Sequence, residues 1–451
     1  MSEIQNVGIR GIEIYFPHRC LEMVALAEAD GVPAGKYTAG LGQTRMAFCG
    51  DREDIISISL TVVKRLMEKC NIDPKDIGRL EVGTETIIDH SKSVKSSLMQ
   101  LFTENPFIEG CDQINACYGG TNALFNALDW CRLHGGLAIV VAADIALYGE
   151  KNARPTGGAG AVAILVGPNA PIVMEGTRVA FSENVYDFYK PHLSEEYPVV
   201  DGHFSLQCYL RSLDACYTRF CAQNGHLVGA SPITAASFDY FVFHSPYNKM
   251  VQKAFSRLFY LDRQRLRGTE HGPAVHPTLA PFDDMPLQET FTSKTLQEAA
   301  TAVAAPFYAT KVTPSTRLPT HTGNSYTASI YHSLASLLEN AVGGPAALLG
   351  KRIVFSYGSG SCAAMWMMRV RAPIDRLTSG LHIEDQIRAQ QCTLRHLHAA
   401  TQPPTRLSFI SRRPNFSNSE TSPSAEKRLN RSENGVTPPA LASCLPIAPP
   451  G

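Results

Sequence analysis

A thiol at the mouth of a helix is the first group in this sequence that could do chemistry. Asn115-Ala-Cys117-Tyr118-Gly-Gly-Thr121 puts a cysteine just ahead of a glycine pair. The run that follows, Gly119–Arg132, carries Ala123, Leu124, Ala127, Leu128 and Cys131 on one helical face. This predicts a strand-to-helix turn with the thiol at the helix N-terminus, where free N–H groups and the helix dipole lower a thiol pKa. The glycines would let backbone approach a ligand closely. Taken alone, the segment also fits a helix that opens on a buried cysteine, the ordinary place for that residue.

Other segments carry candidate groups. Gly83-Thr-Glu85-Thr-Ile-Ile-Asp89-His90-Ser-Lys92 sets Glu85 after a strand-like stretch, against apolar residues. A carboxylate there is a candidate buried base with a raised pKa, although most such carboxylates are caps or surface charges. His244, in Phe243-His244-Ser-Pro246-Tyr247, falls just past a hydrophobic strand, where α/β enzymes often place reacting groups. A histidine at such an end is more commonly satisfied by one hydrogen bond. Gly323-Asn324-Ser-Tyr326 and Phe355-Ser356-Tyr-Gly358-Ser359-Gly360 put polar donors on small-residue turns. Those suit a pocket lining or an oxyanion site, and equally a plain hairpin. Asn152-Ala-Arg154-Pro-Thr156-Gly-Gly-Ala-Gly160 is glycine-rich beside an arginine but lacks the GxxxxGK[ST] pattern, which argues against a P-loop.

These groups need a frame. Residues 1–370 read as alternating strands and helices. Strands are predicted at Val7–Tyr15, Arg79–Val82, Ala138–Ala143, Gly160–Val166, Phe238–Phe243 and Lys351–Ser356. Cys362–Val370 can pair with the last of these across the Gly358–Ser361 turn. Helical spacing marks Ile55–Cys70, Gly119–Arg132, Ser205–Cys221 and Tyr326–Leu338. Strands separated by helices predict an α/β protein with a largely parallel sheet covered on both faces. Residues 264–293 read as a polar surface insertion, and Thr401–Gly451 as a disordered tail rich in Pro, Ser, Asn and Arg.

Composition narrows the function class. Of 451 residues, 44% are hydrophobic and 18% charged, which is globular. Lys+Arg and Asp+Glu both number 41, so no charge excess points to nucleic acid or an anionic membrane. The 12 cysteines are scattered, with no zinc-ribbon or CxxC spacing, and free thiols in a reducing compartment are the simplest expectation. No uncharged apolar run reaches spanning length, no signal peptide opens the chain, and Ala-Pro-Pro-Gly is no peroxisomal address. A cytoplasmic location is expected.

Read together, the motifs carry a specific resemblance. GTETIIDHSKSVK, NACYGGTNALFNAL, NARPTGGAGAVAILVGPNAP, YDFYKP, EYPVVDG, FHSPYNKMVQK, GNSYTAS and FSYGSG resemble eukaryotic 3-hydroxy-3-methylglutaryl-CoA synthases, of the thiolase superfamily. AGKYTAGLGQ and FCGDREDI add to it, and the likeness runs in order from about residue 5 to 370. The resemblance implies a thiolase-like α/β fold of two similar halves in an α-β-α-β-α arrangement. The halves are expected at 1–168 and 169–370, followed by a divergent tail over 371–451. It implies Cys117 as nucleophile, Glu85 as general base or acid and His244 as a catalytic histidine. It implies supporting or substrate-binding roles for Asp89, Tyr118, Asp144, Thr156, Asp201, Ser205, Asn324, Tyr326 and Ser359, with Arg154 and Lys249 holding the CoA portion. It further implies a homodimer using acyl-CoA substrates, with no metal and no redox cofactor.

The implied chemistry is a condensation. Cys117 takes the acetyl group of acetyl-CoA, Glu85 removes a methyl proton, and the carbanion attacks the ketone of acetoacetyl-CoA while His244 polarises its oxygen. Water then frees the product. The sequence departs from the family after the FSYGSG hairpin: Ile374–His398 is faintly similar and Arg406–Gly451 looks unrelated. Two alternatives follow, a specialised paralogue using another β-ketoacyl thioester in secondary metabolism and a degenerate, non-catalytic homologue. Ketoacyl synthases and thiolases share the fold and the cysteine, but they pair it with histidines or a second cysteine, and the Glu85 motif argues against them.

Overall fold

The computed structural model describes residues 6–392, apart from 150–151, 193 and 230–231. The described residues fall in one compact unit, and 393–451 lie outside them. The strands are β1 (Gly8–Tyr15), β2 (Ile77–Gly83), β3 (Asp112–Gln113), β4 (Leu137–Ala146), β5 (Gly158–Gly167), β6 (Ile172–Ser182), β7 (Tyr240–Phe241), β8 (Arg352–Gly358) and β9 (Cys362–Val370). Among the described residues these form one nine-stranded sheet in the order β7-β8-β9-β6-β1-β5-β4-β2-β3.

The expectation of a largely parallel sheet fails. Only β2–β3, β2–β4 and β7–β8 pair in parallel, while the five central pairings are antiparallel. The reason lies in how the strands follow one another. Gly358–Ser361 turns β8 straight back into β9, a connection so short that it only allows antiparallel neighbours, and β1 lies between β5 and β6, antiparallel to both. The predicted Phe238–Phe243 strand also shrinks, pairing only through Tyr240 and Phe241.

Side-chain alternation shows how the sheet is covered. Along β4, Ile139, Val141 and Ala143 face one core with α1 (Ile55–Cys70), whereas Ala138, Val140 and Ala142 face another. That second core holds α2 (Gly119–His134) and α6 (Ser329–Asn340). Along β9, Ala364, Trp366 and Met368 meet the same middle layer, and Ala363, Met365 and Met367 turn to a third core. There they pack on α3 (Gly202–Val228), α4 (Asn248–Leu266) and α5 (Lys294–Lys311). The two ends of the one sheet thus serve as two layers, giving helix, sheet, helix, sheet, helix, the layering expected from the resemblance. Helix α1 shows the local logic. Asp54 accepts from the Ser57 N–H in a reciprocal capping box, Ile58, Val62 and Leu66 are buried on one stripe, and Asn71 ends the helix in the left-handed region. Each such side chain contributes about 1.5–3 kcal/mol by leaving water.

Two boundary expectations are corrected. The divergent part does not begin at 371 as a loose tail. Asp375–Thr378 and Ile383–Ala389 are helical, and Ile374, Leu377, Leu381, Ile383 and Ile387 enter the middle core beside β1. Their apolar spacing was legible, but it lay beyond the recognised motifs. The Glu384 carboxylate and the Arg317 guanidinium pair across this contact at 2.7 Å. The 264–293 segment is likewise tied down, as Leu279 is fully buried and Arg263 grips Asp283 through two hydrogen bonds. The free-thiol expectation also fails at one place: Cys20 and Cys392, opposed across a parallel pair with Cα atoms 4.7 Å apart, are joined as a disulfide. The other described cysteines are free. The twelfth, Cys444, and the rest of the expected tail lie outside the described residues.

Candidate active site

The parallel pairing of β2 with β3 brings two predicted groups together. Gly83 pairs with Gln113, so the chain leaving each strand end runs to the same place, and Glu85 and Cys117 follow there. The Cys117 thiol donates toward Glu85 Oε1 at 3.9 Å, with both residues buried. Ala116, just before the cysteine, has φ 42°, a conformation rare for a side-chain-bearing residue and a mark of a forced turn. A Cβ on Gly83 would come within 2.2 Å of the Gly120 nitrogen, so that glycine lets the strand end touch the start of α2.

Asp144 ties this corner together from beneath. Its Oδ1 accepts from the Thr84 hydroxyl (3.0 Å), the Glu85 N–H (2.8 Å), the Thr86 N–H (3.0 Å) and the Thr86 hydroxyl (2.8 Å). Its Oδ2 accepts from the N–H (3.0 Å) and hydroxyl (2.6 Å) of Thr327, just before α6. A fully buried carboxylate is tolerated because donors surround it. Asp144 therefore positions the Glu85 backbone and does not itself face the thiol.

The electrostatics set the resting protonation states. Burial pushes the Glu85 carboxyl up to about 8; the Lys190 ammonium pulls the other way, and Asp144 and Glu196 add to the rise. Burial likewise pushes the Cys117 thiol up, with the Glu85 and Asp144 charges adding to it and the Ser359 backbone N–H opposing. This corrects the expectation of a thiol lowered by the helix terminus: desolvation beside two carboxylates outweighs the dipole. Burial lowers His244 to about 3, so its ring is neutral.

The second half of the chain closes the site. A Cβ on Gly358 would sit 2.4 Å from the Tyr118 nitrogen, so the Gly358–Gly360 turn lies directly on the cysteine elbow. Asn115 Nδ2 donates to the Ser359 carbonyl at 3.2 Å. The Gly360 N–H donates to buried Asp187 at 2.7 Å, fixing that turn. Tyr209, within electrostatic reach of Cys117, donates its hydroxyl to the His244 carbonyl at 2.9 Å. His244 is 2% exposed, and its Nδ1 has no hydrogen-bond partner among the described residues. Cys117, Phe188 and Tyr326 share one small apolar cluster, with Tyr148 packed against it. Asn324 orients Tyr326 by accepting from its N–H at 2.9 Å.

Not every predicted residue lies in this pocket. Asp89 is exposed and caps the Ser91 and Lys92 N–H groups at 2.8 and 2.7 Å. Those bonds hold its carboxyl below the usual range. Tyr118 turns into the middle core. Asp201 caps α3 by accepting from Phe204 N–H at 3.0 Å, with Ser205 in the first turn. Arg154 is paired with Asp30 at 3.3 Å, away from the elbow. Thr156 donates its hydroxyl to the Ala153 carbonyl at 2.7 Å, near Tyr148. Lys249 is exposed in the first turn of α4, beside Lys253, whose ammonium is lowered first by burial and then by the Lys249 charge. Sequence reasoning missed Lys190, Asp187, Tyr148 and Thr327, although the first two stand in the YDFYKP motif. No cluster of metal-ligating side chains occurs among the described residues.

Comparisons decide the family. The model "Hydroxymethylglutaryl-coenzyme A synthase N terminal" matches residues 3–171, and its C-terminal counterpart matches 172–407. This chain belongs to the hydroxymethylglutaryl-coenzyme A synthase family. It is 49% identical to the hydroxymethylglutaryl-CoA synthase of Saccharomyces cerevisiae over 394 residues, 85% of this chain and 79% of that protein. It is 48% identical to that of Gibberella zeae over 405 residues, covering 86% and 88%. A solved structure of MvaS in complex with 3-hydroxy-3-methylglutaryl coenzyme A matches with TM-score 0.78 and 32% identity, covering 90% of this chain and 93% of that one. The family match reaches residue 407, so the faint similarity seen at Ile374–His398 is genuine kinship.

Proposed function

We propose that this synthase-family chain condenses acetyl-CoA with acetoacetyl-CoA and water to give 3-hydroxy-3-methylglutaryl-CoA and free CoA. The observation that carries the reading is the buried Cys117–Glu85 pair at 3.9 Å. Cys117 attacks the thioester carbonyl of acetyl-CoA, the C–S bond to CoA breaks, and CoA leaves as its thiol. Glu85 takes a proton from the methyl of the acetyl-enzyme, and the carbanion forms a C–C bond to the ketone carbon of acetoacetyl-CoA. Protonated Glu85 returns that proton to the new alkoxide. His244, neutral at any working pH, serves as a hydrogen-bond donor to the incoming thioester, and the Ser359 N–H beside the sulfur suits an oxyanion donor. Water then cleaves the enzyme thioester, restoring the thiol and releasing the carboxylate.

Further roles belong to this reading. Lys249 and Lys253, side by side at the start of α4, suit the phosphates of CoA. A homodimer is supported by the short edge strand β3, flanked by exposed Phe107 and Ile114, an edge a second copy can cover. The substrates supply the driving force and the site needs no metal or redox cofactor. A cytoplasmic location is supported by the human and rat relatives, which carry the name "Hydroxymethylglutaryl-CoA synthase, cytoplasmic". No helix among the described residues is long and apolar enough to cross a membrane.

The test is a pH profile of condensation, with products identified by mass. Glu85 must be ionised to act as a base, so kcat should rise with pH through about 8. Condensation with acetoacetyl-CoA and that rising limb support the reading. Failure to form the six-carbon acyl product across the range, in a folded sample that still takes up acetyl groups, would point to another acceptor.

A further inference from the structure

Lys190 is the one cation that reaches the reacting carboxylate among the described ion pairs, and the reaction as written gives it no part. It directly follows the short Phe188–Tyr189 strand segment, far along the chain from Glu85. Its Nζ lies 3.8 Å from Glu85 Oε2 and donates to the Glu85 carbonyl at 3.3 Å. A third contact, at 3.3 Å, ties it to Glu196. The ammonium also stands 5.6 Å from the Tyr326 ring centroid, over the same apolar cluster that holds Cys117. At 18% side-chain exposure it is too well enclosed to be a wandering surface lysine.

We propose that Lys190 is a positioning residue for Glu85, clamping its carboxylate and its backbone so that the group stands in its basic form at the acetyl methyl. The inference rests on the reading of Glu85 as the base. One ammonium makes an ion pair with the side chain and a hydrogen bond with the main chain of the same residue, which fixes the carboxylate's position as well as its charge. Every charged or titratable group facing the pair bears on it. Asp144 from β4, Glu196 from the loop before α3, and Cys117 from the elbow surround Glu85, with Tyr148 and Tyr326 behind them. His90 faces Glu196. Burial works against the charge on Lys190, yet Glu85, Glu196 and Asp144 outweigh it, so the lysine stays cationic. Lys190 is therefore the local counter-charge to an otherwise acidic, desolvated corner, and its loss would leave Glu85 holding its proton to higher pH.

The test compares Lys190→Met, Lys190→Arg and Glu196→Gln with the unaltered chain, alongside Glu85→Gln. Condensation is followed against pH, acetylation of Cys117 by intact mass, and folding by melting temperature. Lys190→Met should carry the acid limb of kcat to higher pH, with condensation at neutral pH falling roughly tenfold for each unit moved and recovering as the pH is raised. Acetylation should persist. Lys190→Arg should keep the limb near its original place, and Glu196→Gln, which removes a competing anion, should move it to lower pH. A folded Lys190→Met protein with an unmoved acid limb would overturn the proposal, as would equal losses at every pH in both lysine variants. Condensation surviving in Glu85→Gln would instead overturn the reading of Glu85 as base, whatever the lysine variants do.

Discussion

Replacing Glu85 by glutamine is expected to leave an enzyme that takes up an acetyl group on Cys117 and cannot pass it on. The amide keeps the shape of the carboxyl but cannot accept a proton from the acetyl methyl. Loss of a placed general base lowers a rate by about 10²–10⁴-fold. The first half-reaction should survive because the Glu85 charge raises the Cys117 thiol rather than lowering it. Removing that charge makes the thiolate easier to form. Acetyl-enzyme should therefore accumulate, seen as a persistent mass increase, while condensation with acetoacetyl-CoA disappears. A glutamine variant that condenses at near the original rate would remove Glu85 from the mechanism.

The second large effect is expected at a residue that never meets substrate. Asp144 is fully buried and accepts six hydrogen bonds from Thr84, Glu85, Thr86 and Thr327. Hydrogen bonds to charged groups contribute about 1.5–3 kcal/mol each, and orphaned buried donors cost a similar amount. These terms do not add fully, so Asp144→Ala should lower stability by at least about 3 kcal/mol. Asp144→Asn retains one carbonyl acceptor and should lose less. In both, Glu85 loses the anchor on its N–H, and a displacement near 1 Å can lower turnover by about 10²-fold. Melting curves and kcat should rank the native protein above Asn and Asn above Ala. Equal stability in all three would contradict the clamp.

The contrast between what was legible and what was hidden follows the same physics. Cys117, Glu85 and His244 stand in contiguous motifs at strand ends, so local sequence carries them. Alternation along β4 and β9 was readable as apolar runs, and α1 matches its predicted range of Ile55–Cys70 because its caps and its stripe agree. Strand direction was not readable, because the length of a connection and the strand that inserts between two others decide it, between strands of the same composition. Lys190 and Asp187 were overlooked because their partners lie about a hundred residues or more away, at Glu85 and Gly360. Asp89 misled in the opposite way. It shares a motif with Glu85, yet the chain turns outward after Thr86, and its carboxylate caps a surface turn. The folding of 371–392 was missed since its apolar residues find partners on β1 and α6, which only the tertiary structure brings near.

The central claim is that Cys117 carries the acetyl group and yields it to acetoacetyl-CoA. Intact mass of the purified protein after mixing with acetyl-CoA, with and without acetoacetyl-CoA, tests it most directly. The expected result is a gain of one acetyl group, absent in Cys117→Ala and discharged when acetoacetyl-CoA is added. A folded protein that gains no acetyl group, or a Cys117→Ala variant that gains one, would contradict it.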